Sequence, residues 1–222
     1  MRNPGTVRED SFELEGKYFN SIHVSGVQFR WTERVRGIRP KDVKSLSIEL
    51  NMNLTRCYER GKKYFDETGI PDHISELIVQ IDIHGKTKDA KKYYYNSWHL
   101  DQDVDDKGSG GRQEYPHPLF HLHNGGRHLQ ELVESEDYGD ICIFPSPRIM
   151  HLPLDYFLAV DFILSNFYPN DWYALREDNQ YINFMKKTQI VYWKPFIGSM
   201  NDFWGTDADK KKKAVELLPQ YA

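Results

Sequence analysis

The segment 154–167, Leu-Asp-Tyr-Phe-Leu-Ala-Val-Asp-Phe-Ile-Leu-Ser-Asn-Phe, constrains the fold more than any other stretch of the chain. It has helical length and is apolar on nearly every side, so it is expected to be a central helix covered by other elements. Phe157 and Leu164 should then be nearly inaccessible to solvent. Its apolar run, 157–164, is interrupted by Asp161 and is too short to cross a membrane.

The remaining elements follow from periodicity and punctuation. Residues 1–10 read as disordered. Residues 12–31 alternate loosely around Gly16 and Gly26 and predict two short strands. In 41–68, Leu46, Leu50, Leu54, Cys57, Tyr58, Lys62 and Phe65 recur every three or four residues. That spacing predicts a long helix stopped by Gly69 and Pro71, with Cys57 as a small core thiol. Strands are expected over 77–84, 93–100 and 116–123, and a mobile acidic, glycine-rich loop over 101–114. The aspartates at 101, 103, 105 and 106 lack the glycine and closing glutamate of a calcium loop. Helices are expected over 173–187 and 208–218, with a last strand-like piece at 189–193 halted by Pro195. The order predicts an α+β fold: a mainly antiparallel sheet, a long helix in the N-terminal half and a buried helix in the C-terminal half. It divides the chain into a disordered 1–10, a single domain over 11–205 and a helical tail over 206–222.

Composition narrows the function classes. A formal net charge of −4 argues against general nucleic-acid binding, which needs a basic face. The lysines at 210–213 read as a solvated first turn of the terminal helix. With only two cysteines, no disulfide framework is expected, and no apolar leader opens the sequence. A cytoplasmic protein without a membrane partner is the expectation. Aromatic content of 14% suits a surface that meets a protein partner.

Chemistry concentrates in 115–172. His117, His121, His123 and His128 fall within twelve residues. On an extended segment, His117, Leu119, His121 and His123 share one face, with Pro118, Phe120 and Leu122 on the other. Trp98-His99-Leu100-Asp101 adds a His-x-Asp pair on a neighbouring strand. Together His99, Asp101, His121 and His123 could hold zinc or iron, the latter in a two-histidine, one-carboxylate arrangement. The alternative is that these histidines only hydrogen-bond to backbone.

Cys142 lies in a β-like Ile-Cys-Ile-Phe run, with His117 upstream and Arg148 and His151 downstream as cations that could favour its thiolate. Tyr115-Pro116, Pro118, Gly139-Asp-Ile-Cys142-Ile and the Pro-bounded helix ending in Tyr168-Pro169-Asn170-Asp171 resemble ubiquitin-conjugating (E2) enzymes of a divergent prokaryotic type. The resemblance implies a thioester-carrying Cys142 or an inactive variant that only binds. The family's His-Pro-Asn signature does not precede Cys142. The acidic run 134–137 opposes a thiolate, so a buried, unreactive cysteine is expected. Within the central helix, Asp161 needs a partner, and Arg148 is the simplest. Asp155 complements the helix N-terminus. These observations predict an interaction or adaptor module, E2-like and with catalysis left open. The alternative is a mononuclear His/Asp metalloenzyme, a hydrolase or oxygenase.

Overall fold

Between Leu46 and Leu54 every second residue is apolar, and Ser47, Glu49, Asn51 and Asn53 fill the alternate positions. That alternation forms a 17-residue strand rather than the expected helix. The computed structural model describes residues 3–31, 43–59, 74–89, 91, 93–102, 118–125 and 148–217. Among these, seven strands form one antiparallel sheet in sequence order: β1 (Thr6–Leu14), β2 (Lys17–Trp31), β3 (Val43–Glu59), β4 (Ile74–Thr87), β5 (Tyr93–Gln102), β6 (Phe120–Asn124) and β7 (Ile149–Met150). Four α-helices follow: α1 (Tyr156–Phe167), α2 (Pro169–Leu175), α3 (Asn179–Asn201) and, after a 3-10 turn at Asp202–Trp204, α4 (Ala208–Leu217). The architecture is therefore α+β with an antiparallel sheet.

Strands β2 to β6 each send one set of side chains into the core. Val24, Val27 and Phe29 of β2, Ile48, Leu50, Met52 and Leu54 of β3, Leu77, Val79 and Ile81 of β4, Leu100 of β5 and Phe120 of β6 are all buried. They pack against Leu158, Ala159 and Ile163 of α1 and Tyr192 and Phe196 of α3. The opposite face of the sheet carries polar residues. Two glycines shape the β2 edge of this sheet. Glu15 and Gly16, with φ of 50° and 75°, make the two-residue turn between β1 and β2, the left-handed geometry that matches strand twist. Gly26, at φ 69°, sits in a bulge where the β2–β3 register shifts, and its N–H donates to Asn51 Oδ1 at 2.9 Å.

The structure corrects several expectations. Residues 41–68 are not a helix, since 43–59 are β3. The leucines at 46, 50 and 54 satisfy both periods because four is a multiple of two; Ile48 and Met52, also buried, fit only the strand. Cys57 is accordingly on β3, opposite Phe19 and only partly buried. The chain is ordered from before residue 10: β1 starts at Thr6, and Asn3 bridges to Gln28. Residues 189–193 belong to α3, whose buried Met185, Thr188, Tyr192, Phe196 and Ser199 trace a helical stripe that continues past Pro195. The 173–187 helix is broken between α2 and α3, where Asp178 caps the new helix by accepting from Gln180 N at 2.7 Å.

Helix α1 is one-sided rather than buried all round. Phe157 is 43% exposed and packs edge-on against Phe184, with ring centroids 4.4 Å apart. Leu164 is partly buried. Asp161 does not pair with Arg148; its Oδ1 accepts from Trp172 Nε1 at 2.9 Å and Tyr181 OH at 2.5 Å. Asp155 caps α1 by accepting from Leu158 N at 2.9 Å, and burial pushes its carboxyl up to about 6 despite that bond. No helix among the described residues is long and apolar enough to cross a membrane.

Candidate metal centre

Register, rather than sequence proximity, assembles the site. β4 places Gln80 opposite His99, and β6 places His123 opposite His99 and His121 opposite Asp101. Alternation makes these residues share the face of the sheet away from α1 and α3. His99, Asp101 and His123 each bring a donor atom to within 4.8 Å of the other two. Bonds of ~2.0–2.2 Å to a zinc- or iron-sized ion would draw such donors closer together. His121 joins through Asp101, its Nε2 lying 2.8 Å from Oδ1. His99 Nε2 lies 3.3 Å from Oδ2 of the same carboxylate. The rings of His99 and His123, and of His121 and His123, are 5.1 and 5.6 Å apart at their centroids.

Each flanking histidine is already committed at its other nitrogen. His99 Nδ1 is 2.7 Å from Gln80 Oε1. The Gln80 amide is oriented by Nε2 donating to Asp82 Oδ1 at 2.7 Å, so its oxygen faces His99 and accepts. His121 Nδ1 faces the Pro118 carbonyl at 3.1 Å and must donate to it. A neutral imidazole has one N–H. An imidazolium has two, and with Nδ1 engaged each ring turns its Nε2 to Asp101, a carboxylate that can only accept. Oδ1 of Asp101 is sealed from solvent and, apart from its contact with His121, receives no hydrogen bond.

Electrostatics agree with that geometry. Burial alone would raise the Asp101 carboxyl, but His121 and His99 beside it pull it well below the ordinary carboxylate range. Burial lowers His123 to about 4, with His99, His121 and Arg148 adding to the effect and Asp101 opposing it. The His123 ring is thus neutral near pH 7 and keeps a lone pair available. Carboxylate plus neutral imidazoles is a donor set that fits zinc or ferrous iron.

The surroundings hold the site in place. A hydrogen-bonded chain runs from Tyr95 OH to Asp82 Oδ1 at 2.5 Å, through Gln80 to His99. Beside it Ser97, fully buried, donates to Gly125 O at 2.6 Å, while Gly125 N returns a bond to Ser97 O at 2.8 Å. Gly125, at φ 95°, turns the backbone away just after the His-x-His segment.

The other predicted site residues do not gather here. His151 packs its ring edge-on against Phe162 of α1, 5.6 Å between centroids, on the helix-covered face. Its Nδ1 donates to the Leu152 carbonyl at 2.7 Å, and burial lowers its basicity, so it reads as a structural histidine. Arg148 is exposed just before β7. His117 and Cys142 lie outside the described residues, as do Tyr115 and Pro116. The long helix expected ahead of them in sequence is β3. Gln80, Asp82 and Tyr95 escaped sequence reasoning: only the β4–β5 register shows which polar residue faces His99. No family model, curated protein or solved structure matches the chain.

Proposed function

We propose that the chain is a mononuclear metal-dependent enzyme, of hydrolase or oxygenase type, with His99, Asp101 and His123 as ligands. His121 serves as the partner that orients Asp101. The observation that supports this reading is the convergence of ligand atoms of His99, Asp101 and His123 to within 4.8 Å of one another, with His99 Nδ1 held by the amide oxygen of Gln80. Metal-binding histidines characteristically donate their other N–H in this way. Three protein donors leave positions for water and substrate, and an ion bound there supplies Lewis acidity or, as iron, oxygen activation.

Metal content of protein purified without an affinity tag is the test. Stoichiometric zinc, iron or manganese is expected, with loss in His123→Ala and in Asp101→Ala. Metal-free protein that shows no thermal stabilisation by any of these ions would remove the reading. A second reading, a protein-binding adaptor of E2-like kind, draws support from Tyr93, Tyr173 and Trp204, which are 68%, 65% and 70% exposed. It requires no metal, so the same measurement separates the two.

A further inference from the structure

One cross-strand row holds Gln80, His99 and His123. β6 pairs with β7 through His121↔Met150 and Leu122↔Ile149. Carrying that register one pair further sets Arg148 opposite His123, on the same face as the histidines because paired residues share a face. Arg148 is exposed, and among the described residues it forms no ion pair.

We propose that Arg148 is the substrate-anchoring residue of this centre and that the substrate carries an oxyanion group, carboxylate or phosphate. The inference rests on the metal reading above. A divalent ion held by Asp101 and neutral imidazoles leaves the centre positive, and Arg148 adds to that charge. A guanidinium presents a planar fork of donors that matches the two oxygens of a carboxylate or phosphate, which an ammonium does not. Its place at the end of the row, one strand spacing of about 4.8 Å beyond His123, lets it hold an anionic group beside the ion rather than on it. An arginine set against histidines, with no acidic partner among the described residues, serves no evident stabilising purpose in the metal-free sheet. With an anion between it and the ion, the row becomes complementary in charge.

The experiment uses the full chain loaded with cobalt(II), whose visible spectrum reports the ion's surroundings. Inorganic phosphate and acetate are titrated separately into wild type, Arg148→Gln and Arg148→Lys, and circular dichroism confirms that each variant is folded. Wild type should bind at least one anion. Arg148→Gln should keep its cobalt yet bind that anion at least about tenfold more weakly, and Arg148→Lys should recover part of the loss. The anion with the larger loss identifies the substrate group. Equal anion affinity in wild type and Arg148→Gln overturns the assignment while leaving the metal reading intact. Failure of wild type to take up cobalt overturns the metal reading itself. In that case phosphate and acetate binding to the metal-free chain, followed by calorimetry, decides on Arg148 alone: binding lost in Arg148→Gln retains its role as an anion anchor, and absence of binding ends it.

Discussion

Gln80 Oε1 and His99 Nδ1 meet at 2.7 Å across the β4–β5 pair, and this contact decides which nitrogen of His99 faces Asp101. The amide cannot simply rotate to present its nitrogen instead. Its Nε2 is bound to Asp82, whose Oδ1 also receives Tyr95 OH. Burial and that bond to Asp82 both push the Tyr95 hydroxyl above its ordinary range, so it remains a donor throughout the neutral range. Read from donor to acceptor, His99 Nδ1 gives to Gln80 Oε1 and Gln80 Nε2 gives to Asp82 Oδ1, where Tyr95 OH also ends, so the His99 ring is held with Nε2 toward the site.

Replacing Gln80 should therefore weaken metal binding without touching a ligand. Gln80→Leu removes the acceptor, frees the His99 ring to rotate and lets it protonate at Nε2. Affinity for zinc is expected to fall roughly 10–100-fold, the usual cost of losing such a supporting partner. Gln80→Glu keeps an acceptor and should retain most of the affinity. Competition with a chromophoric chelator measures both. Equal losses in the two variants would show that Gln80 matters only for packing.

Asp155 gives a pH dependence with a definite sign. Its folded value of about 6 lies above the ordinary 3.8, so the folded chain holds a proton that the unfolded chain has released between those values. Stability contributed by that proton is complete below about pH 4 and is lost as pH rises through about 6. His123 acts oppositely in the metal-free chain. Its folded value of about 4 lies below the ordinary 6.5, so stability rises with pH across the same interval. Asp155→Asn keeps a capping side chain but removes the first effect. Relative to wild type it should gain roughly 2–3 kcal/mol at pH 7 and little at pH 4. Urea unfolding at both pH values, with chelator present, checks this. A gain that is the same at both would mean that the Asp155 carboxyl is not raised.

The site was more legible than the fold around it. His99, Asp101, His121 and His123 could be gathered from sequence because His-x-Asp and His-x-His need only period-two geometry to place both members on one face. The strand β3 was misread because Leu46, Leu50 and Leu54 are spaced for either period, and the alternation through Ile48 and Met52 was outweighed by that stripe. In α3, the β-prone Ile190-Val191-Tyr192-Trp193 concealed a helix whose stripe, Met185 to Phe196, becomes evident only once α1 and the sheet are there to bury it. The partners of Asp161 come from α2 and α3, and no local pattern pointed to Trp172 or Tyr181.

The β3 assignment has a direct consequence for stability. Leu50 is fully buried between β2 and β4, and Leu50→Ala should cost about 2–5 kcal/mol. Ile48→Ala should cost a similar amount, although the helical stripe passes it by. Phe157→Ala, at a side chain 43% exposed, should cost clearly less than Leu158→Ala one position along. Chemical denaturation of the four variants settles the order. A negligible effect at Ile48 would be incompatible with β3.

His121 and His123 should separate by role. Both are histidines of one strand with rings 5.6 Å apart, yet only His123 offers a donor atom to the triad, while His121 Nε2 is taken up by Asp101 Oδ1 at 2.8 Å. His123→Gln replaces a ligand nitrogen by a weak amide oxygen and should abolish stoichiometric metal binding. His121→Gln leaves the three donors in place and can still offer an N–H to Asp101. It should lower metal affinity roughly 10–100-fold. His121 is also 2% exposed and bonded to the Pro118 carbonyl, so the same change should destabilise the metal-free chain by about 1–3 kcal/mol. His123, partly exposed, should show the smaller cost in stability at pH 7. The two measurements, metal affinity and metal-free stability, should therefore rank the variants in opposite orders. The same ranking in both would make His121 a ligand on equal terms with His123, and the centre a four-donor one.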